Sequence, residues 1–349
     1  MIVRLIVVSL LLIATPLRAE NYAARDDVRA FIAELHEQHG FDTAELSGLF
    51  AQTKPVPAAI KLIMPPKDPK VRSWKTYRSR FVEPKRIAAG RRFMQAHAAE
   101  LERAEKQFGV PATIITAIIG VETIYGKHMG RFGTFAALTT LAFDYPPRAT
   151  LFRKELAELL LLARDERRSV LDYTGSYAGA LGLPQFLPSS VRRYAIDFDT
   201  DGRIDLSGST TDAIGSVARF LAEHGWVKDG PIAVTVSTEG NGIESLVAEG
   251  ILPRRTPTEM QSSSTRIAIK KVGAGDTANI TETLPEQPAA LIDLITPDAA
   301  TEYRLGYQNF YVITRYNRSS FYASAVMDLA AALEATPESK AEAKPTPSK

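Results

Sequence analysis

The stretch VPATIITAIIGVETIYG, residues 110–126, decides the fold. Ile114, Ile115, Ile118, Ile119 and Val121 leave little polar surface on any side of a helix, and Pro111 suits its first turn. Such a helix belongs in a core. Near its C-terminal end stands Glu122. Apolar surroundings disfavour the charged form of a carboxyl and raise its pKa, and an acid still protonated near neutral pH can serve as a general acid. Taken alone, this stretch favours the plainer reading, a glutamate that reaches water or pairs with Lys127 or Arg131.

Outward from that helix the pattern stays helical. Val28, Phe31, Ile32 and Leu35 recur at helical spacing and stop at Gly40, and residues 84–108 carry a stripe through Ile87, Phe93, Leu101 and Phe108. Further helices are predicted over 150–164, 189–194 and 212–223, the last stopped by Gly225, so that 112–226 form one helical block. After Gly230 the chain changes character. PIAVTVS (231–237), TRIAIKKV (265–272) and AALIDLIT (289–296) are short β-branched runs between Gly, Pro, Asn and Ser clusters, and are predicted as strands. Helical periodicity returns over 319–333.

The 349 residues suit two to three domains at roughly 150 residues each. Residues 1–19 combine Arg4, an apolar run from Leu5 to Ala14, and Pro16 before Ala19, which fits a secretory signal and falls short of a bilayer span. Residues 20–110 are expected to form an N-terminal helical domain, 111–230 the core, 231–314 a small β-containing unit and 315–335 a segment returning to the cleft. Residues 336–349 have almost no apolar side chains and are expected to be disordered. The formal charge is +2, and without Arg4 and Arg18 it would be near zero, which argues against a nucleic-acid partner. With no cysteine in the chain, disulfides, thiolate chemistry and a lipid-modified N-terminal cysteine are excluded.

Two more stretches carry chemistry. In GSYAGALGLPQFLPSS (175–190), small residues let backbone approach whatever lies opposite, and Ser176 and Gln185 are the polar handles of a substrate floor. In DFDTDGRIDL (197–206), Asp197, Asp199 and Asp201 take the first, third and fifth positions of a calcium loop. Gly202 supplies the turn, Arg203 a carbonyl, and Asp205 stands at the ninth position. The twelfth position is Gly208, so Asp212 would have to close an enlarged loop. His36, His39, His97, His128 and His224 form no zinc motif, and no G-x-S-x-G elbow occurs.

Taken in order, GVETIYG (120–126), FDYPPRA (143–149), the two stretches above and DAIGSVARFLAEHGW (212–226) resemble the lytic murein transglycosylase B family, secreted bacterial enzymes that cleave peptidoglycan. The likeness runs from about Tyr77 to Tyr322. It implies a mainly α (α+β) fold, a lysozyme-like helical core with an N-terminal helical domain and a small β-containing domain. It implies that Glu122 is catalytic, with Ser176 hydrogen-bonded to it, and that Tyr77, Arg148, Gln185, Tyr316, Asn317 and Tyr322 bind substrate with Ser176. Pro147 stands where relatives usually carry a second arginine. A structural calcium ion would sit on Asp197, Asp199, Asp201, Arg203 and Asp212. The partners expected are peptidoglycan glycan strands and other cell-wall enzymes, the location the periplasm, and the protein a monomer.

Three functions are then to be separated. The first is a lyase in which Glu122 acts as acid and then base, leaving 1,6-anhydromuramoyl ends. The second is a muramidase hydrolysing the same bond, for which Asp144 is the nearest second acid, though a cap for the following helix is its simpler role. The third is a catalytically silent peptidoglycan-binding protein.

Overall fold

The computed structural model describes residues 21–65, 72–262, 264–269 and 283–335. The signal segment expected over 1–19 and the tail over 336–349 lie outside the described residues.

The chain opens with α1 (Asp26–His39), α2 (Thr43–Gln52) and α3 (Pro57–Ile63), followed by α4 (Trp74–Phe81), α5 (Pro84–Ala96) and α6 (Ala98–Phe108). The stripe over 84–108 is thus two helices. His97 breaks it, with φ −122 and ψ 33 outside the helical region. Next is α7 (Ala112–Thr123), the core helix read from the sequence, with every residue buried except Ala112 and Glu122.

Next come α8 (Thr134–Asp144), α9 (Ala149–Asp165), α10 (Pro188–Tyr194) and α11 (Thr210–Glu223); α9 packs on α8 and α10, and α11 joins α5 and α6 against α7. Two short antiparallel strands, β1 (Phe132–Gly133) and β2 (Thr174–Gly175), bring the glycine-rich stretch toward the end of α7. Gly130 has φ 92, and a Cβ there would meet the Gly175 carbonyl oxygen at 2.1 Å, so only glycine fits this approach.

The remaining strands are β3 (Ala233–Gly240), β4 (Thr265–Ile269), β5 (Ala290–Leu294) and β6 (Glu302–Gly306), in the antiparallel order β4-β3-β6-β5. Helices α12 (Ile243–Ala248) and α13 (Pro257–Met260) both lie in the connection from β3 to β4. β5 is buried on both faces: Ala290, Ile292 and Leu294 join the main core while Leu291, with Ala289 just before the strand, joins a smaller one with Val236, Ile267, Leu305 and Tyr307. The chain then returns through α14 (Gln308–Tyr316) and α15 (Ser320–Glu334), and α15 packs along α7. The fold is mainly α with a small β unit. Among the described residues no helix is long and apolar enough to cross a membrane.

The β unit is tied to the helices by charge as well as by apolar packing. Arg304 on β6, 4% exposed, bonds Asp328 of α15 at 2.8 Å and Glu302 at 2.7 Å, and Arg78 of α4 bonds the same Asp328 at 2.5 Å. Removing one partner of a buried pair leaves a desolvated charge, so Asp328→Ala should lower the unfolding free energy by roughly 3 kcal/mol in denaturant titration. A loss under about 1 kcal/mol, the level of a surface pair, would show that the clamp contributes little.

Candidate active site

Glu122 occupies the last turn of α7, with apolar helix behind it and an open face in front. Burial pushes its carboxyl up to about 7, and a hydrogen bond from Tyr322 works in the opposite direction. The C-terminal end of a helix carries partial negative charge and likewise disfavours an anion there. Tyr322 donates its hydroxyl to Glu122 Oε1 at 2.6 Å. Its position is set at the start of α15, where the Ser319 hydroxyl caps the helix by accepting from the Tyr322 amide.

Tyr316, at the end of α14, stacks on Tyr322 with ring planes 12° apart and donates to the Pro184 carbonyl at 2.6 Å. Both hydroxyls are held well above their ordinary pKa, by burial first and by Glu122 second, so they stay donors. Tyr77 adds a third ring. It packs on Trp74, Phe81 and Phe321 with centroids 6.4, 5.0 and 5.6 Å away, and burial raises its pKa, with Arg72 opposing and Glu122 adding to the rise.

The glycine-rich stretch 175–190, expected to form a floor for substrate, meets this cluster at Pro184 and Phe186, both against Tyr316. Gln185 adopts φ 52, and its amide nitrogen donates to the carbonyls of Met129 at 3.1 Å and Gly182 at 2.9 Å, which leaves its own oxygen as an acceptor. Ser176 does not bond Glu122 in the structure. Its Oγ instead accepts the amides of Ala178 and Ala180 at 3.3 and 3.0 Å and so shapes the floor. Arg148 and Asn317 are exposed and make no hydrogen bond to the other site residues among the described residues; the Arg148 guanidinium lies 5.5 Å from the centre of the Phe152 ring.

Asp144 is neither a second acid beside Glu122 nor a cap for the following helix. Arg25 at 2.5 Å and the Tyr22 hydroxyl at 2.5 Å hold its two oxygens. Sequence reasoning also missed two supports. Arg86 of α5, 7% exposed, donates to the Gly120 carbonyl at 2.5 Å and closes the end of α7. Trp74 backs Tyr77, and the aromatic spacing of 74, 77 and 81 was the available signal.

In the acidic loop Asp197, Asp199 and Asp212 each offer an oxygen within 4.8 Å of the others. Asp212 is 1% exposed and accepts the amides of Phe198 and Asp205 at 2.7 and 2.8 Å, so it closes the loop where Gly208 cannot. Asp201 stays outside this group and accepts the Arg203 amide at 2.9 Å. Among the described residues no lysine or arginine pairs with Asp197, Asp199 or Asp212, so the donor set suits a hard cation.

A helical core that sets one carboxyl, its pKa raised by burial, among tyrosine rings provides a group suited to acid catalysis. The chain belongs to the transglycosylase SLT family, whose model, described as the Transglycosylase SLT domain, matches residues 23–331. It is 37% identical over 327 residues to the membrane-bound lytic murein transglycosylase B of Escherichia coli (strain K12), covering 90% of this chain and 84% of that one. The soluble lytic transglycosylase SltB1 from Pseudomonas aeruginosa superposes with a TM-score of 0.78 at 43% identity, covering 88% of this chain and 98% of that one. The Escherichia coli lytic transglycosylase Slt35, solved in complex with calcium, superposes with a TM-score of 0.73 at 36% identity, covering 90% of this chain and 94% of that one.

A carboxyl whose folded pKa lies above its unfolded value weakens the fold as pH rises between the two. Glu122→Gln removes that penalty. The variant and the parent should melt together below about pH 4.5, the variant's advantage should grow between there and about pH 7, and it should level off above, where the carboxyl is ionised in both states. A variant less stable at every pH would contradict a desolvated acid.

Proposed function

We propose that the protein is a peptidoglycan lytic transglycosylase in which Glu122 serves first as acid and then as base. The observation that carries this reading is the Glu122 carboxyl itself: burial raises it to about 7, and no neighbouring carboxylate among the described residues takes part. It can therefore be protonated when substrate binds and still ionise readily once its proton is given.

Glu122 would protonate the β-1,4 glycosidic oxygen between N-acetylmuramic acid and N-acetylglucosamine. Most glycosidases need a second carboxylate to meet the positive charge that develops, and substrate-assisted enzymes are the exception. Here the 2-acetamido group of the muramoyl residue would meet it. The Glu122 carboxylate then takes the proton of the C6 hydroxyl on the same residue, whose oxygen closes a 1,6-anhydro ring. No water enters.

Tyr322 steadies the carboxylate in its ionised step by the 2.6 Å hydrogen bond. Tyr77, Tyr316 and the free oxygen of Gln185 would hold the sugars, with Ser176 shaping the floor and Arg148 and Asn317 meeting the strand at its margins. Rings around the site exclude water, which lets the tethered hydroxyl compete. Hydrolysis is disfavoured because Asp144 is committed to Arg25 and Tyr22. Such an enzyme works outside the cytoplasmic membrane, in the periplasm, on glycan strands.

Calcium belongs to the same proposal as a structural ion. Asp197, Asp199 and Asp212 would hold it with the Arg203 carbonyl, and Asp201 would join by releasing the Arg203 amide.

Digestion of sacculi in heavy-oxygen water should yield anhydro-muropeptides without the label in mass spectra; labelled reducing ends would show hydrolysis instead. Glu122→Gln should lower turnover by on the order of 10²–10⁴-fold. For the acidic loop, a chelator should lower the melting temperature of the parent, and the effect should disappear in Asp212→Asn. Melting that ignores both calcium and chelator would mean that the loop binds nothing.

A further inference from the structure

Thr123 follows Glu122 directly and is fully buried. Its hydroxyl has two carbonyls in reach, Ile119 at 3.2 Å and Leu183 at 3.0 Å, and one hydrogen to give. The Ile119 carbonyl already faces the Tyr125 amide at 3.4 Å, whereas the Leu183 carbonyl has no other donor among the described residues. A buried carbonyl left without a partner is costly, so the hydrogen goes to Leu183. The Thr123 hydroxyl oxygen itself accepts the Gly126 amide at 3.0 Å. That second bond pins an unusual turn: Ile124, Tyr125 and Gly126 stand in succession at φ 53, 58 and 86, and the first is β-branched. Leu183 lies two residues before Gln185, and its amide donates to the Leu206 carbonyl of the acidic loop at 2.8 Å. One hydroxyl thus joins the turn that ends the Glu122 helix to the loop that carries the substrate floor.

We propose that Thr123 is a positioning residue, whose hydroxyl sets the register of Glu122 against the floor formed by Ser176 and Gln185. The proposal rests on the catalytic reading of Glu122 above.

The test compares the parent, Thr123→Val and Thr123→Ser on a soluble, uncrosslinked peptidoglycan tetrasaccharide, well below each melting temperature and with folding checked by near-ultraviolet circular dichroism. Valine keeps the shape and loses the hydroxyl; serine keeps the hydroxyl. Misplacing a reacting group by a fraction of an ångström acts on the chemical step, so Thr123→Val should lower kcat on the order of ten- to hundredfold. KM should stay within about threefold, and Thr123→Ser should restore kcat to a similar margin. Where the valine variant is too unstable to assay, Thr123→Ala makes the same comparison. The proposal is overturned if a folded variant without the hydroxyl keeps kcat within about twofold, if serine falls as far as valine, or if neither hydroxyl-free variant folds. Hydrolytic products from all three proteins would refute the lyase reading, while the kcat comparison would still decide the role of Thr123.

Discussion

The structure turns on the placement of one carboxyl at the end of a helix that water cannot reach. Inside an apolar core an ionised glutamate is too costly, and on the surface it would be an ordinary acid with nothing to donate near neutral pH. Glu122 sits between these limits. The buried length of α7 supplies the desolvation, the open last turn supplies access, and Tyr322 supplies a bond that makes the ionised form tolerable. Much of the remaining fold can be understood as holding that boundary in place.

Three distant parts of the chain meet there. The floor comes from the loop between β2 and α10, the tyrosine pair from α14 and α15, and the outer ring from α4. The tyrosine pair reaches Glu122 only after the chain has passed through the β unit, so the seating of that unit matters to the chemistry. The Arg304 and Asp328 pair fastens the seat on α15 itself, two turns from Tyr322. The acidic loop supports the floor in the same way, through the bond from Leu183 to Leu206. Gly182, with φ 66, allows that contact, because a Cβ would lie 2.4 Å from the Leu206 oxygen.

Local patterns carried most of the helical architecture, while Glu122 was singled out as an acid by the family resemblance and not by its own stretch, which favours the plainer reading. α7 was legible because no face of 112–123 is polar, and α9, α10, α11 and α15 because each has a clear stripe or stop signal. The break at His97 was hidden because the apolar stripe continues across it. Strand β6 was hidden because Glu302 and Arg304 disguise it; Arg304 points to a carboxylate on α15 that sequence spacing does not reveal. At the site, residue types were readable and partners were not. Ser176 has the right chemistry for a bond to Glu122, yet its Oγ is taken by two amides of its own loop, and Tyr322, two hundred residues from Glu122, makes that bond. Asp144 shows the same limit, since only the folded N-terminal segment brings Arg25 and Tyr22 to it.

The claim on which all of this depends is the protonation state of one side chain in the free protein. Carbon-13 NMR of the glutamate carboxyls, with Glu122 assigned by its loss in Glu122→Gln, measures it directly. The account predicts a single carboxyl titrating at about 7, moving higher in Tyr322→Phe once the hydrogen bond that favours the anion is gone. A Glu122 resonance that titrates in the ordinary carboxylate range, unmoved by Tyr322→Phe, would contradict it.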